Sequence, residues 1–433
     1  MLPQGDTVAL GLLNDDPHLD IVLAGSGLDR VLLSTAAGTW TEALLPQAER
    51  HTTTVSVFDA DGDGDLDLFA PRHNWPADMG ALAEGEWPGD GHALLRNDGT
   101  GHFNVDAGSM GSVVDSLAFQ GAPVDVDMDG DLDVYINNDF GPWTQPNATL
   151  QNDGRGGWSM RSGDGADLTM FGMGTSVADP SGDGWPDLFV SNIGNLVLLQ
   201  SVGDGTFVEA AASYGLLDVH DQYHAASWGS RFLDLDGDRY DDLMVGYSVV
   251  PGAPGERETP ETAGTGDSGI VRERLQNDIV LLFDPEKGQL VPAATVGHDV
   301  DAFQGSHGTR SLVAADLDVD GRPELLKVGF SPDFRDLVLR TYRLQGGCGP
   351  GITLRMPIDA AHVGARVVAE VDGHRSTRWM LPSATYGASA AEVYVGLGTA
   401  AEVDRLQVYP LTGDMLDLSG TPAGTVVELA PAD

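Results

Sequence analysis

DADGDGDLDL, residues 59–68, sets a carboxylate at every second position of a nine-residue run, Asp59, Asp61, Asp63, Asp65 and Asp67, with glycine at 62 and 64. Five like charges in one tight turn repel one another, and a cation removes the conflict. Calcium takes six to eight oxygen ligands, and a loop supplies them from alternate side chains and a backbone carbonyl. Counting Asp59 as position 1, the acids fall at positions 1, 3, 5, 7 and 9, and Gly64 at position 6 can take the positive φ that closes the turn. The chain then reads LFAP, an apolar strand. An EF-hand would need a bidentate Glu at position 12 and flanking helices, so this is a shorter loop of another kind.

The loop is a repeat. DVDMDGDLDV (125–134), DPSGDGWPDL (179–188), DLDGDRYDDL (234–243) and DLDVDGRPEL (316–325) keep its register, and LLNDDPHLDI (12–21) is a degenerate copy with Leu12 at position 1. Side-chain ligands are expected at positions 1, 3, 5 and 9. These are Asp59, Asp61, Asp63 and Asp67; Asp125, Asp127, Asp129 and Asp133; Asp179, Ser181, Asp183 and Asp187; Asp234, Asp236, Asp238 and Asp242; Asp316, Asp318, Asp320 and Glu324. Position 7 varies freely through Asp65, Asp131, Trp185, Tyr240 and Arg322, which argues for its carbonyl as the ligand. Ser181 makes the 179–187 site the weakest expected. About five structural Ca2+ ions follow, and the degenerate copy is not expected to bind one tightly.

Each loop is preceded by a small apolar stretch and followed by an apolar strand and a hairpin, as in LLRNDGTGHF (94–103), LQNDGRGGWS (150–159), LLQSVGDGTF (198–207) and LLFDPEKGQL (281–290). Asn-Asp-Gly and Gly-Asp-Gly between apolar runs are hairpin signals. Four strands per unit, with position-9 residues spaced 47, 66, 54, 55 and 82 apart, predict an all-β chain: a six- or seven-bladed β-propeller with calcium-binding blade loops plus a small C-terminal β domain. A parallel β-helix of calcium nonapeptides would repeat every nine residues instead. The long gap holds PGAPGERETPETAGTGDSG (251–269), read as a surface insertion.

Composition bounds the partners. A net charge of −43 over 433 residues argues against nucleic acid or an anionic membrane surface. Residues 349–433 hold only ten acidic and five basic residues, so nearly all of the excess lies before them. No run of 18 apolar residues suggests a membrane span. Cys348 is the sole cysteine, so no intrachain disulfide forms, and no basic neighbour lowers its pKa to make it a nucleophile. The N-terminus lacks the charged and apolar regions of a leader. Because the loops suit millimolar calcium, the chain reads as secreted or extracytoplasmic with its leader removed.

The five acidic copies resemble the FG-GAP or VCBS calcium repeats of integrin α-type propellers. GDGTFVEAAASYGL (203–216) resembles the inter-repeat phrase of cartilage acidic protein-like chains, and VGARVVAEVDG (363–373), Tyr386 to Ser389 and VYVGLGTAAEVDRLQVYP (393–410) resemble the ASPIC/UnbV domain that follows the propeller in that group. YPLTGD (409–414) stands where the family usually has Trp-Pro-x-Gly. The resemblance implies a propeller over 1–346, a linker at 347–351 and an ASPIC/UnbV-like domain over 352–433. It implies a calcium-stabilised binding or adhesion module for a protein or glycan, and no known reaction.

The strand before each loop is expected to be innermost in its blade, which places His51, Gln120, Met173, His224 with Trp228, and His307 with Arg310 around the channel. His51, His224, His307 and Arg310 are therefore the candidate catalytic set, should the channel mouth hold an enzyme site or a transition metal. The alternative is that they are polar residues bonded to backbone or water. A structural matrix or cell-surface role is the third reading. Asn147-Ala-Thr149 is a formal glycosylation acceptor, relevant only on a eukaryotic secretory route.

Overall fold

A computed structural model describes residues 7–46, 50–73, 91–106, 108–110, 116–218, 226–248, 277–297, 300, 303, 308–330, 337–343, 347, 349–384 and 387–431. No α-helix occurs among them, and no helix is long and apolar enough to cross a membrane. Six antiparallel blade-like sheets follow in chain order. Their first strands are Thr7–Gly11, Ser56–Phe58, Ala118–Val124, Gly174–Ala178, Ser227–Leu233 and Gly308–Ala315. The first five sheets have four strands each and the sixth shows three.

The acidic loop joins first strand to second in each case, and the second strand opens on the position-9 acid: Asp20, Asp67, Asp133, Asp187, Asp242 or Glu324. The first strands of successive sheets lie against one another, which makes them the inner strands. Small and hydroxylated residues allow that approach. Thr53 Oγ1 donates to Ala118 O at 2.9 Å and Ser176 Oγ to Ser230 O at 2.8 Å. At Gly229 an added Cβ would come within 2.9 Å of the sixth inner strand's backbone.

After residue 351 the chain forms two further sheets. Ile352–Arg355 pairs antiparallel with Glu392–Val395 and parallel with Thr425–Glu428. Arg366–Val371 lies between His374–Trp379 and Arg405–Tyr409. These sheets cover the acidic-loop face of the propeller-like array. The largest apolar cluster joins Leu13, Phe58 and Leu132 to Ile358, Val363 and Leu397, and Gly364, with φ of 88°, seats directly on Leu132. A short hairpin, Ser383–Ala384 with Gly387–Ala388, reaches the inner strands of the first, fourth and sixth sheets. The C-terminal sheets therefore form a cap that enters the channel from the loop side.

Candidate metal sites and the channel

Every acidic loop is folded by the same hydrogen bonds. The position-1 carboxylate accepts the position-6 N–H: Asp59 from Gly64 at 3.0 Å, Asp125 from Gly130 at 3.1 Å, Asp179 from Gly184 at 2.9 Å, Asp234 from Arg239 at 2.7 Å and Asp316 from Gly321 at 3.0 Å. The position-5 carboxylate accepts the position-7 N–H, as from Asp65 to Asp63 at 3.0 Å and from Tyr240 to Asp238 at 3.0 Å. Positions 4 and 6 both take positive φ. Glycine usually supplies this, but Met128 (57°), Val319 (61°) and Arg239 (90°) do so as non-glycine residues.

The position-9 acid is a staple. Asp67 accepts Ala60 N through Oδ2 at 3.1 Å and Asn97 N, on the third strand, through Oδ1 at 2.8 Å. Asp133 repeats this with Val126 and Asn152, and Asp242 with Leu235 and Phe283. The degenerate copy keeps the staple: Asp20 accepts Leu13 N at 3.0 Å and Ser34 N at 2.7 Å.

Four loops bring three carboxylates within 4.8 Å of one another: Asp59, Asp61 and Asp67; Asp125, Asp127 and Asp133; Asp234, Asp236 and Asp242; Asp316, Asp318 and Asp320. At the 179–187 loop position 3 is Ser181, whose hydroxyl donates to Asp179 at 3.1 Å. Burial pushes these acids up, Asp67, Asp125 and Asp187 to about 7 and Asp133 to about 8, while Asp234 and Asp242 rise well above the usual carboxylate range. Asp61 Oδ1, Asp127 Oδ1, Asp131 Oδ1, Asp187 Oδ2 and Asp234 Oδ1 are buried without a hydrogen-bond partner. Buried carboxylate oxygens are costly when unpaired, and an oxygen-loving divalent cation satisfies them. The residues thus fit a metal ion. Arginines supply part of the countercharge: Arg96 reaches Asp67 at 3.0 Å, Arg161 reaches Asp127 at 3.2 Å, and Arg343 pairs with Asp318, Asp320 and Glu324.

Two loops are clasped by the cap. Arg378 donates to Asp241 from Nε at 3.0 Å and from Nη2 at 2.6 Å. The strained Arg239 donates to Val371 O at 3.4 Å while its own carbonyl accepts His374 Nε2 at 3.2 Å. Thr353 donates to Asp316 at 3.1 Å, and Asp316 N donates to Glu392 at 2.8 Å. The 179–187 loop also faces the cap, where Gly184 lies beside Thr377 and Arg375. Nothing in the acidic pattern signalled these partners, which come from more than a hundred residues away in most cases.

At the opposite end the channel is packed. Phe119, Met173, Ala226 and Trp228 form one buried cluster with Phe171 against it. Gln120 accepts Thr175 N at 2.7 Å, and Arg310 stacks 3.5 Å over the Trp228 ring. His51 engages the backbone through Nδ1, 2.8 Å from His73 O. His224 and His307 lie outside the described residues, as do Cys348 and the 251–269 insertion. Asn147 is fully buried, with Nδ2 on Tyr135 Oη and Oδ1 on Asn138 N, so it serves the core and is no glycan acceptor in the folded chain. Sequence reasoning missed His73, a buried ring stacked 4.4 Å from Phe119 and 3.0 Å from Asp139 Oδ2, and His92, whose Nδ1 accepts Arg72 N at 3.1 Å. Both precede or follow an apolar strand end, and only their spacing from the strands could have flagged them. Phe140, Trp143 and Phe171 stack about this mouth with centroids 5.5–6.0 Å apart.

Comparison with known proteins assigns the repeats. FG-GAP-like repeat matches cover residues 13–70 and 179–245, and the ASPIC and UnbV match covers 359–433. No curated protein matches significantly. Solved structures with similar strand arrangements include an Agrocybe aegerita lectin recognising non-reducing terminal N-acetylglucosamine (14% identity, TM-score 0.39, 79% of this chain and 81% of that one). A Lactobacillus plantarum protein gives 13% identity and a TM-score of 0.37 over 96% and 97% of the two chains. The V. cholerae biofilm matrix protein Bap1 gives 13% and 0.32 over 95% and 58%. At these scores the likeness carries no argument about ligand or activity.

Proposed function

Because the chain carries FG-GAP-like repeats followed by an ASPIC and UnbV domain, we propose that it is a calcium-braced, extracytoplasmic binding module that meets a protein or glycan on the face opposite the cap. The two units are residues 1–346 and 352–433. Ca2+ in about five loops would bind positions 1, 3, 5 and 9 and the position-7 carbonyl, tying each inner strand to the next strand and, in two loops, to the cap. Ion binding to the folded state adds about 2.7 kcal/mol per site at 100 times the dissociation constant.

The observation that carries the reading is the occupancy of the channel. The cap enters it from one side, and Phe119, Met173 and Trp228 fill it from the other. What remains open is a surface of partly buried aromatics, Trp143 and Phe171, beside Arg310 on Trp228. Aromatic faces with a few polar groups suit sugar rings and protein hot spots. The test is glycan-array and surface-protein binding of the calcium-loaded chain against Trp143→Ala. Loss of a saturable interaction in the variant, with an unchanged melting point, supports the face. Full retention in Trp143→Ala together with Phe171→Ala overturns it.

A further inference from the structure

Between the inner strands of the third to sixth sheets and the cap lies a chamber of about 70 Å3, lined by Gln120, Thr175, Ser230 and Arg231 on one side and Arg378 and Glu392 on the other. That is room for a few waters or one small polyatomic ion. Its charges are unequally satisfied. Asp241 takes both Nε and Nη2 of Arg378. Glu392 accepts Arg355 Nε at 2.7 Å and Asp316 N at 2.8 Å. Asp316 accepts Gly321 N and Thr353 Oγ1. Arg231 differs: its Nε is buried with no hydrogen-bond partner, and Asp241, the acid whose charge reaches it, is already committed to Arg378.

We infer that Arg231 makes this chamber a binding site for a small carboxylate-sized oxyanion, held between the propeller strands and the cap. Arg231 is partly buried as a residue, but an N–H taken out of water needs an acceptor, and the planar guanidinium that carries it matches a carboxylate. The walls leave one hydroxyl donor for a second oxygen, Ser230 Oγ, because Ser176 Oγ, 2.8 Å from it, already donates to Ser230 O and Thr175 Oγ1 is bonded to Asn137. Burial also works against the charge on Arg231, which an anion would reverse. Because the anion touches both units, it would bridge them beside the loop-to-cap contacts of Asp241 and Asp316. The site is independent of the aromatic face proposed above.

Acetate is the probe. Thermal unfolding of the calcium-loaded full chain is followed at fixed calcium and ionic strength as acetate replaces the bulky buffer anion HEPES. Wild type and the surface control Arg30→Gln, whose partner Glu42 is exposed, should show a saturable rise of about 2 °C at ten times the dissociation constant. Arg231→Gln should show none. If that variant fails to fold, line broadening of 13C-acetate by the wild-type chain, displaced by unlabelled formate, reports the same site. A midpoint indifferent to acetate with no displaceable broadening, or a rise that persists in Arg231→Gln, overturns the inference.

Discussion

The carboxylates of one acidic loop do two different jobs, and the degenerate copy separates them. Leu12 replaces the position-1 acid, yet Asp20 at position 9 still bonds Leu13 N and Ser34 N. Asp20→Ala should therefore cost about 2–4 kcal/mol, the price of two buried N–H groups left unpaired, with no change in calcium stoichiometry. Asp67→Ala should lose both stability and one ion; thermal unfolding with a calcium titration checks the pair. A second residue-level expectation concerns His92. Its Nδ1 accepts Arg72 N, and its Nε2 donates to Ser116 Oγ, which donates on to Asn138. Protonation would break the first bond, and burial pushes its pKa down from 6.5 to about 3. Its contribution is thus intact above pH 6.5 and is lost as pH falls toward 3. The gap in stability between wild type and His92→Gln should narrow by about 3 kcal/mol between pH 7 and pH 4. The five-fold register of oxygen-bearing residues at positions 1, 3, 5 and 9, Asp in all but Ser181 and Glu324, was legible because repetition exposes it. The staple was not, since its partner on the third strand lies 14 to 41 residues on.

At the scale of the element, each loop is a turn with two left-handed residues, and the chain does not always spend glycine on them. Val319 holds φ of 61° with an exposed side chain, a conformation that costs a β-branched residue roughly 1–3 kcal/mol. Val319→Gly should raise the unfolding midpoint, by a net ~1 kcal/mol after the entropy glycine adds to the unfolded chain. Arg239 is different, because its strain is tied to the cap. Its side chain reaches Val371 O and Asp372, and its carbonyl takes His374. Arg239→Gly should relieve the φ and loosen the cap together, read as a smaller gain in midpoint than Val319→Gly gives, with faster hydrogen exchange in residues 371–378. The blade hairpins were legible from Asn-Asp-Gly and Gly-Asp-Gly, and the second strands begin on the position-9 acids throughout. The sixth sheet shows only three strands among the described residues, and no turn signal had marked a fourth.

For the whole molecule, the sequence made six units and a distinct tail legible through spacing and composition. It did not show that the tail sits on the acidic loops. That contact joins residues such as Arg378 and Asp241, 137 apart, and depends on shape and pairing with no local period. The consequence is a chain in which acidic loops, inner strands and cap share one interface. Of the expected channel set, His51 bonds backbone and Arg310 lies on Trp228, while His224 and His307 lie outside the described residues. On the proposed reading, calcium in the acidic loops is the main brace of this array. Several sites at 2.7 kcal/mol each rival the whole stability of an ordinary domain. Thermal unfolding with calcium and with excess chelator, alongside total metal analysis, tests it most directly. About five calcium ions per chain and a fall in midpoint on the order of 15 °C on chelation are expected. An unchanged midpoint, or a purified chain without calcium that is equally stable, would contradict it.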